Sequence, residues 1–200
     1  MSSRPSLVLA SSSRYRRGIL AKLGLPFEWA APAVDESPQA NELFPALALR
    51  LASEKSHALA SRYPHHLIIG SDQVATLDNK QLEKPLTRER AIEQLRAASG
   101  KSVKFFTSLC VLDSSSGESR LDLDETIVRF RPLSERMIAA YVEREQPYDC
   151  AGAFKSEGLG VVLFEKLEME DPNALVGLPL IRLIRLLESF GVNVLNAGNS

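Results

Sequence analysis

Leu7-Val-Leu-Ala-Ser-Ser-Ser-Arg-Tyr-Arg-Arg17 decides how the chain is read. Leu7, Val8 and Leu9 form an apolar run of strand length. Three serines follow, and Arg14, Arg16 and Arg17 then lead into Ile19, Leu20 and Leu23, spaced as on a helix. A buried strand that breaks into small hydroxylated residues and enters a helix leaves free backbone N–H groups at the positive end of the helix dipole. That is an anion site. Arginine adds planar forks matched to phosphate oxygens. Alone, the stretch fits equally well an ordinary serine-capped helix with a solvated basic face, so the remainder of the chain decides between the two.

Working outward, strand-like and helix-like segments alternate, the pattern of an α/β fold. Strands are expected at Leu7–Ala10, Phe27–Ala31, Leu67–Leu77, Val103–Leu112, Leu121–Phe130 and Leu159–Leu167. Helices are expected over about Arg14–Leu23, Phe44–Arg62, Arg88–Ala98, Ser134–Glu143 and Leu175–Phe190. Asp113-Ser-Ser-Ser-Gly117 between two strand candidates reads as a hairpin loop, which makes the sheet mixed rather than purely parallel. The last helix carries Leu178, Ile181, Leu183, Ile184, Leu186 and Leu187, apolar nearly all round and therefore expected to be buried. There is no internal repeat or long linker, and Asn196–Ser200 is expected to fray.

Two hundred residues suffice for one domain or two closely packed lobes. Twenty-four Lys and Arg against 25 Asp and Glu give a formal net charge of −1, so no global field favours nucleic acid or an anionic membrane. Positive charge is local, densest in the opening segment. Cys110 and Cys150 match neither a disulfide framework nor a zinc spacing, which points to a reducing cytoplasm. The start, Met1-Ser-Ser-Arg-Pro5, lacks a signal-peptide apolar core, and no run reaches membrane-spanning length. His57, His65 and His66 do not make a metal-ligand pattern.

Several residues break their local pattern. With the helix at Leu47–Arg62 turned by about 100° per residue, Phe44, Leu47, Leu51, Ala58, Ala48, Leu59 and Ala52 cover an arc of roughly 140°. Lys55 projects near its middle. A lysine there must meet an anion or snorkel to water. In Leu67-Ile-Ile-Gly-Ser-Asp-Gln-Val74 an aspartate lies in an otherwise buried strand, where it must pair, bind metal, do chemistry or cap a turn. Gly70 allows a close approach of backbone or ligand. Asp35-Glu36 and Glu83-Lys84-Pro85 read locally as solvated loops. Gly152-Ala-Phe-Lys-Ser-Glu-Gly158 places Lys155 and Glu157 in a glycine-bounded loop. The P-loop, dinucleotide and nucleophile-elbow signatures are absent. Scattered cations and at least three acids able to hold a divalent metal suit phosphate-ester chemistry on a nucleotide.

Taken together, Leu9-Ala-Ser-Ser-Ser-Arg-Tyr-Arg-Arg17, Val34-Asp-Glu36, Arg50-Leu-Ala-Ser-Glu-Lys55, Gly70-Ser-Asp-Gln-Val74, Glu83-Lys-Pro85, Cys150-Ala-Gly152, Lys155-Ser-Glu-Gly158 and Val176-Gly-Leu-Pro179 resemble the Maf family of nucleotide pyrophosphatases, nearly end to end and in the family's order. The resemblance implies a Maf/ITPase-like α/β fold: an elongated mixed sheet flanked by helices, a single domain of residues 1–200 with two lobes around one cleft. It also implies a cytoplasmic, often dimeric enzyme that cleaves nucleoside triphosphates between the α- and β-phosphates with a divalent metal (Mg²⁺, Mn²⁺ or Co²⁺). No nucleic-acid or membrane partner is expected.

Three positions divide the family by substrate. The branch taking dTTP and UTP has Arg, Thr and Gln there; this chain has Tyr15, Gln73 and Glu157, and so resembles the YceF-like branch that prefers 7-methyl-GTP. An aromatic face suits the cationic 7-methylguanine ring, and a carboxylate suits guanine's N1–H and N2–H₂ donors. Arg14 stands where the family usually has proline, and Tyr15 where this branch often has tryptophan. By the same resemblance Asp72 is the base for the attacking water or a ligand of the metal, and Glu36 is the metal's other ligand. Arg16, Lys55 and Lys84 hold the triphosphate with help from Ser11, Gln73 and Glu157 read the base, and Lys155 reaches a phosphate or supports Glu157. The competing expectations are a pyrophosphatase for dTTP/UTP or modified purine nucleotides, and a non-catalytic nucleotide-binding regulator of cell division.

Overall fold

The computed structural model describes residues 5–198; residues 1–4 and the last two positions of the tail expected to fray lie outside it. The chain forms β1 (Ser6–Ala10), α1 (Arg14–Ala21), β2 (Phe27–Ala30), α2 (Phe44–His57), β3 (His66–Leu77), β4 (Lys80–Leu82), α3 (Arg88–Ala98), β5 (Ser102–Asp113), β6 (Ser119–Phe130), α4 (Glu135–Glu145), β7 (Phe164–Glu168) and α5 (Leu180–Ser189). The strands make one mixed sheet in the order β2-β1-β3-β5-β6-β7, with β4 paired to β3. β1 is parallel to both neighbours, while β3–β4 and β6–β7 are antiparallel.

The opening segment explains its own shape. Leu7 and Leu9 pack on one side with Leu20, Ile69, Leu183 and Leu187, while Val8 and Ala10 pack on the other with Leu59, Ile68 and Leu112. A strand buried on both faces needs the continuous apolar run seen in the sequence. Ser13 then caps α1, its side chain accepting from the Arg16 amide at 3.4 Å. Thr87 and Ser134 cap α3 and α4 in the same way.

The structure departs from the sequence reading in four places. β4 is an additional strand: Asp78 (φ 49°) and Asn79 (φ 59°) make a left-handed two-residue turn that folds it back on β3. α2 ends at His57 rather than Arg62. Leu159–Leu163 is a 3₁₀ turn and only Phe164–Glu168 is strand, because Gly160 lies against the backbone of Lys155, whose carbonyl accepts the Gly160 and Gly158 amides at 3.0 and 3.3 Å. The last helix starts at Leu180, not Leu175, and is one-sided: Leu180, Leu183 and Leu187 are buried while Ile181 is 43% exposed.

The chain divides into two compact units. The first takes residues up to Gln73, Thr107–Asp124 and Asp171 onward; the second takes Val74–Phe106 and Glu125–Glu170. The first contains the two cores flanking β1. The second contains a cluster of edge-on rings, Phe105, Phe130, Phe154 and Phe164, with centroids 4.9–5.6 Å apart.

Candidate active site

In the first unit, the turn after β1 is tightly built. Ser11 is buried and its hydroxyl accepts from the Ser13 amide at 3.1 Å. One turn into α1, Arg16 donates from Nε to the Gly177 carbonyl at 2.8 Å, and Ser71 Oγ donates to the same oxygen at 3.0 Å. The two terminal nitrogens of Arg16 make no hydrogen bond among the described residues. Burial lowers the Arg16 pKa from its ordinary value, and the negative charges of Asp72 and Glu36 oppose that shift. An arginine anchored by one nitrogen and offering its other two can grip an oxyanion. Tyr15 is half-buried; Arg14 donates from Nη2 to its hydroxyl at 2.8 Å and holds its guanidinium carbon 4.8 Å from the ring centroid. Arg14, in place of a helix-entry proline, therefore puts a cation on Tyr15.

α2 and β3 supply the centre. A Cβ added to Gly70 would lie 2.0 Å from the Ala52 carbonyl oxygen, so only glycine lets the helix lie this close to the strand. That closeness brings Lys55, 5% exposed, onto Asp72: Nζ is 2.6 Å from Asp72 Oδ1 and 2.7 Å from Glu36 Oε1. Lys55 is thus paired rather than snorkelling. The Asp72 amide donates to Ser108 Oγ at 3.3 Å, and that hydroxyl donates to the Ala48 carbonyl at 2.6 Å, tying β3, β5 and α2 together. Asp72 Oδ2 has no hydrogen-bond partner among the described residues. Glu36 comes from the loop between β2 and α2, and its side chain is 61% exposed.

Gln73 points its amide nitrogen at Thr107 Oγ1 (3.0 Å) and at the carbonyls of Ala174 (3.0 Å) and Leu175 (3.2 Å). The segment that presents these carbonyls and that of Gly177 is organised by Asp171, which the sequence reading passed over. Fully buried, Asp171 accepts from the Asn173 amide (2.8 Å) and side chain (2.9 Å), and from the Ile181 amide (2.6 Å) at the start of α5. The Asp171-Pro-Asn173 turn signal was the available clue.

The second unit holds the other candidates. Lys84 is exposed and makes no ion pair among the described residues; the carbonyl before it accepts from Gln94 Nε2 at 2.8 Å. Glu157 is exposed, with Ser156 Oγ 3.4 Å from its carboxylate. Of the two expectations for Lys155, the structure does not show support of Glu157: its ammonium donates to the Glu145 carbonyl at the end of α4. A cation there complements the negative end of the helix. The Lys155 amide donates to the Tyr141 hydroxyl at 3.0 Å, and burial pushes the pKa of that hydroxyl up. Phe154 roots the loop in the ring cluster.

A mixed α/β sheet that carries an arginine fork at a helix entrance, and a lysine clamped between two carboxylates, defines a protein equipped for phosphate chemistry. The chain belongs to the Maf family (Maf-like protein), which matches it over residues 6–190. It is 56% identical over 190 residues to the 7-methyl-GTP pyrophosphatase of Pseudomonas aeruginosa, covering 95% of this chain and 99% of that protein. It is 53% identical over 191 residues to the 7-methyl-GTP pyrophosphatase of Nitrosococcus oceani, covering 96% of each. Among solved structures, the Ham1 protein of Staphylococcus aureus overlaps 62% of this chain and 71% of its own, with a TM-score of 0.46 and 14% identity.

Proposed function

We propose that this chain hydrolyses 7-methyl-GTP to 7-methyl-GMP and diphosphate. The observation that carries the reading is the Asp72 carboxylate: Oδ1 is fixed by Lys55 at 2.6 Å, while Oδ2 is left without a hydrogen-bond partner among the described residues. A carboxylate held by one oxygen and open at the other orients a water and takes its proton as the water oxygen attacks the α-phosphorus. The bond from that phosphorus to the bridging oxygen breaks, and the pair of electrons leaves with diphosphate. Arg16 and Lys55 balance the charge gathering on the phosphate oxygens, with Ser11 and the α1 amides beside Arg16; Lys84 is assigned to the triphosphate by the family resemblance alone.

Glu36 and Asp72 fit a divalent cation. Their oxygens converge on one ammonium, they are hard donors, and Mg²⁺ is ordinarily held by one or two carboxylates together with substrate phosphates. No cluster of three or more His, Cys, Asp or Glu is found among the described residues, so Glu36 and Asp72 are the residues that would hold the ion. When bound, the ion neutralises phosphate charge and polarises the reacting centre.

Base selection is assigned to Tyr15, Gln73 and Glu157 by the family resemblance. Stacking of the cationic methylated ring on Tyr15 is worth about 0.5–2 kcal/mol. Glu157 is exposed and therefore solvated when no guanine meets it, so its preference comes from the two donors that guanine offers and uracil or thymine lacks. The relatives named for 7-methyl-GTP support this choice of base. No described helix is long and apolar enough to cross a membrane. With Cys110 and Cys150 not joined in a disulfide and a nucleotide substrate, the cytoplasm is the compartment proposed, and a homodimer the assembly. Pyrophosphate release from 7-methyl-GTP, GTP, UTP and dTTP, each with Mg²⁺, Mn²⁺ or Co²⁺, tests the reading. The highest kcat/KM is expected for 7-methyl-GTP. Faster turnover of UTP or dTTP overturns the base assignment, and binding without turnover overturns the enzymatic one.

A further inference from the structure

We infer that Arg50 is a positioning residue that holds Glu36 at the reacting centre by clasping the loop between β2 and α2 to the helix that carries Lys55. Glu36 lies in a segment without regular structure, residues 31–43, and its side chain is 61% exposed, yet its carboxylate sits 2.7 Å from Lys55 Nζ. An exposed glutamate on a free loop would lose that position to conformational entropy. Arg50 removes the freedom. Its Nε and Nη2 meet the two carboxylate oxygens of Glu42 at 2.7 and 2.9 Å, Nη2 also donates to the Ser37 carbonyl at 3.0 Å, and Nη1 contacts Glu54 at 3.1 Å.

The loop residues complete the clasp. Glu42 Oε2 accepts from the Gln39 amide at 3.0 Å, and Asp35 Oδ1 accepts from the Ser37 amide at 2.9 Å. Apart from the Arg50–Glu54 pair within α2, every bond is thus placed on a residue next to Glu36 or on the short run that joins it to α2. Arg50 and Lys55 share one helix, about 7.5 Å apart along its axis, so fixing the loop to the first fixes the Glu36 carboxylate relative to the second. Only a planar fork can engage a carboxylate by two nitrogens and a carbonyl together; lysine cannot. The Arg50 and Glu42 side chains are 19% and 9% exposed, more enclosed than an ordinary surface pair.

This inference rests on the reading of Glu36 and Asp72 as the hydrolytic centre, and its test separates the two. In Arg50→Ala, amide hydrogen exchange across residues 35–42 is expected to quicken about tenfold while β3 exchanges as before. Turnover of 7-methyl-GTP is expected to fall roughly 10–100-fold, mainly in kcat, with no rescue by Arg50→Lys. Combined with Glu36→Gln, Arg50→Ala should add no further loss, whereas a merely structural role would multiply the two effects. Glu42→Gln opens the clasp from the other side and serves if Arg50→Ala does not fold. Unchanged exchange in the loop, or fully multiplicative losses in the double variant, overturns the inference. If the wild-type chain releases no diphosphate from any nucleotide, the functional reading fails, while the exchange measurement still decides whether Arg50 fixes the loop.

Discussion

A lysine 5% exposed, with one carboxylate at 2.6 Å from its ammonium and another at 2.7 Å, binds structure and chemistry to the same atoms. Lys55→Met is therefore expected to reduce stability as well as turnover. It leaves Asp72, 7% exposed, without its partner, at a cost of about 3–5 kcal/mol in urea unfolding. Asp72→Asn keeps the volume and removes the base; pyrophosphate release should drop about 10²–10⁴-fold with the circular-dichroism spectrum unchanged. Glu157→Gln should leave the fold intact and lower the ratio of kcat/KM for 7-methyl-GTP over that for UTP. Lys55 and Asp72 were legible in the sequence because each is a charge where periodicity demands an apolar side chain. Glu36 was singled out only by the family resemblance, since its local signal is a solvated acidic loop and its partner is supplied by a different element. The contact of Lys155 with the end of α4 was not legible, because a glycine-bounded loop does not reveal which carbonyl will accept its ammonium.

At the scale of elements, contact distances rather than propensities fix the site. β3 lies so close to α2 that a methyl group at Gly70 would enter the Ala52 carbonyl at 2.0 Å. Gly70→Ala is thus expected to cost about 3 kcal/mol or more, read from the denaturant midpoint, and to lower turnover by lifting Lys55 from Asp72. The double-sided burial of β1, the serine cap of α1 and the hairpin between β5 and β6 were written in local pattern. β4 was not, because three residues are too few to show a period of two. The 3₁₀ turn at Leu159–Leu163 has strand-like composition and is set instead by Gly160 lying on the Lys155 carbonyl. The late start of α5 follows from Asp171, whose carboxylate takes the Ile181 amide and holds the preceding residues in turns. No periodicity encodes a cap reaching across ten residues.

For the whole molecule, the mixed α/β class could be read from alternation and one hairpin, whereas the order β2-β1-β3-β5-β6-β7 could not, because pairing partners are chosen by contacts distant in sequence. Acid stability is a property at this scale. The Arg50 guanidinium holds the Glu42 carboxyl at about 2, against an ordinary 4.5. The folded chain thus takes up that proton less readily than the unfolded one. The stabilisation is full above about pH 4.5 and is lost as the pH falls toward 2. Melting curves of wild type and Glu42→Gln should differ at neutral pH and converge near pH 2. The Gly177 carbonyl carries a last consequence, one of timing. Arg16 takes its anchor from a residue 161 positions later in the chain. Synthesis runs from the N-terminus, so the serine-rich turn and Arg16 leave the ribosome long before the oxygen that will fix them exists. A nascent chain stalled short of residue 177 holds Lys55, Asp72 and Ser71 without an oriented arginine. The anchor of Arg16 is therefore among the last contacts of the first unit that synthesis makes possible.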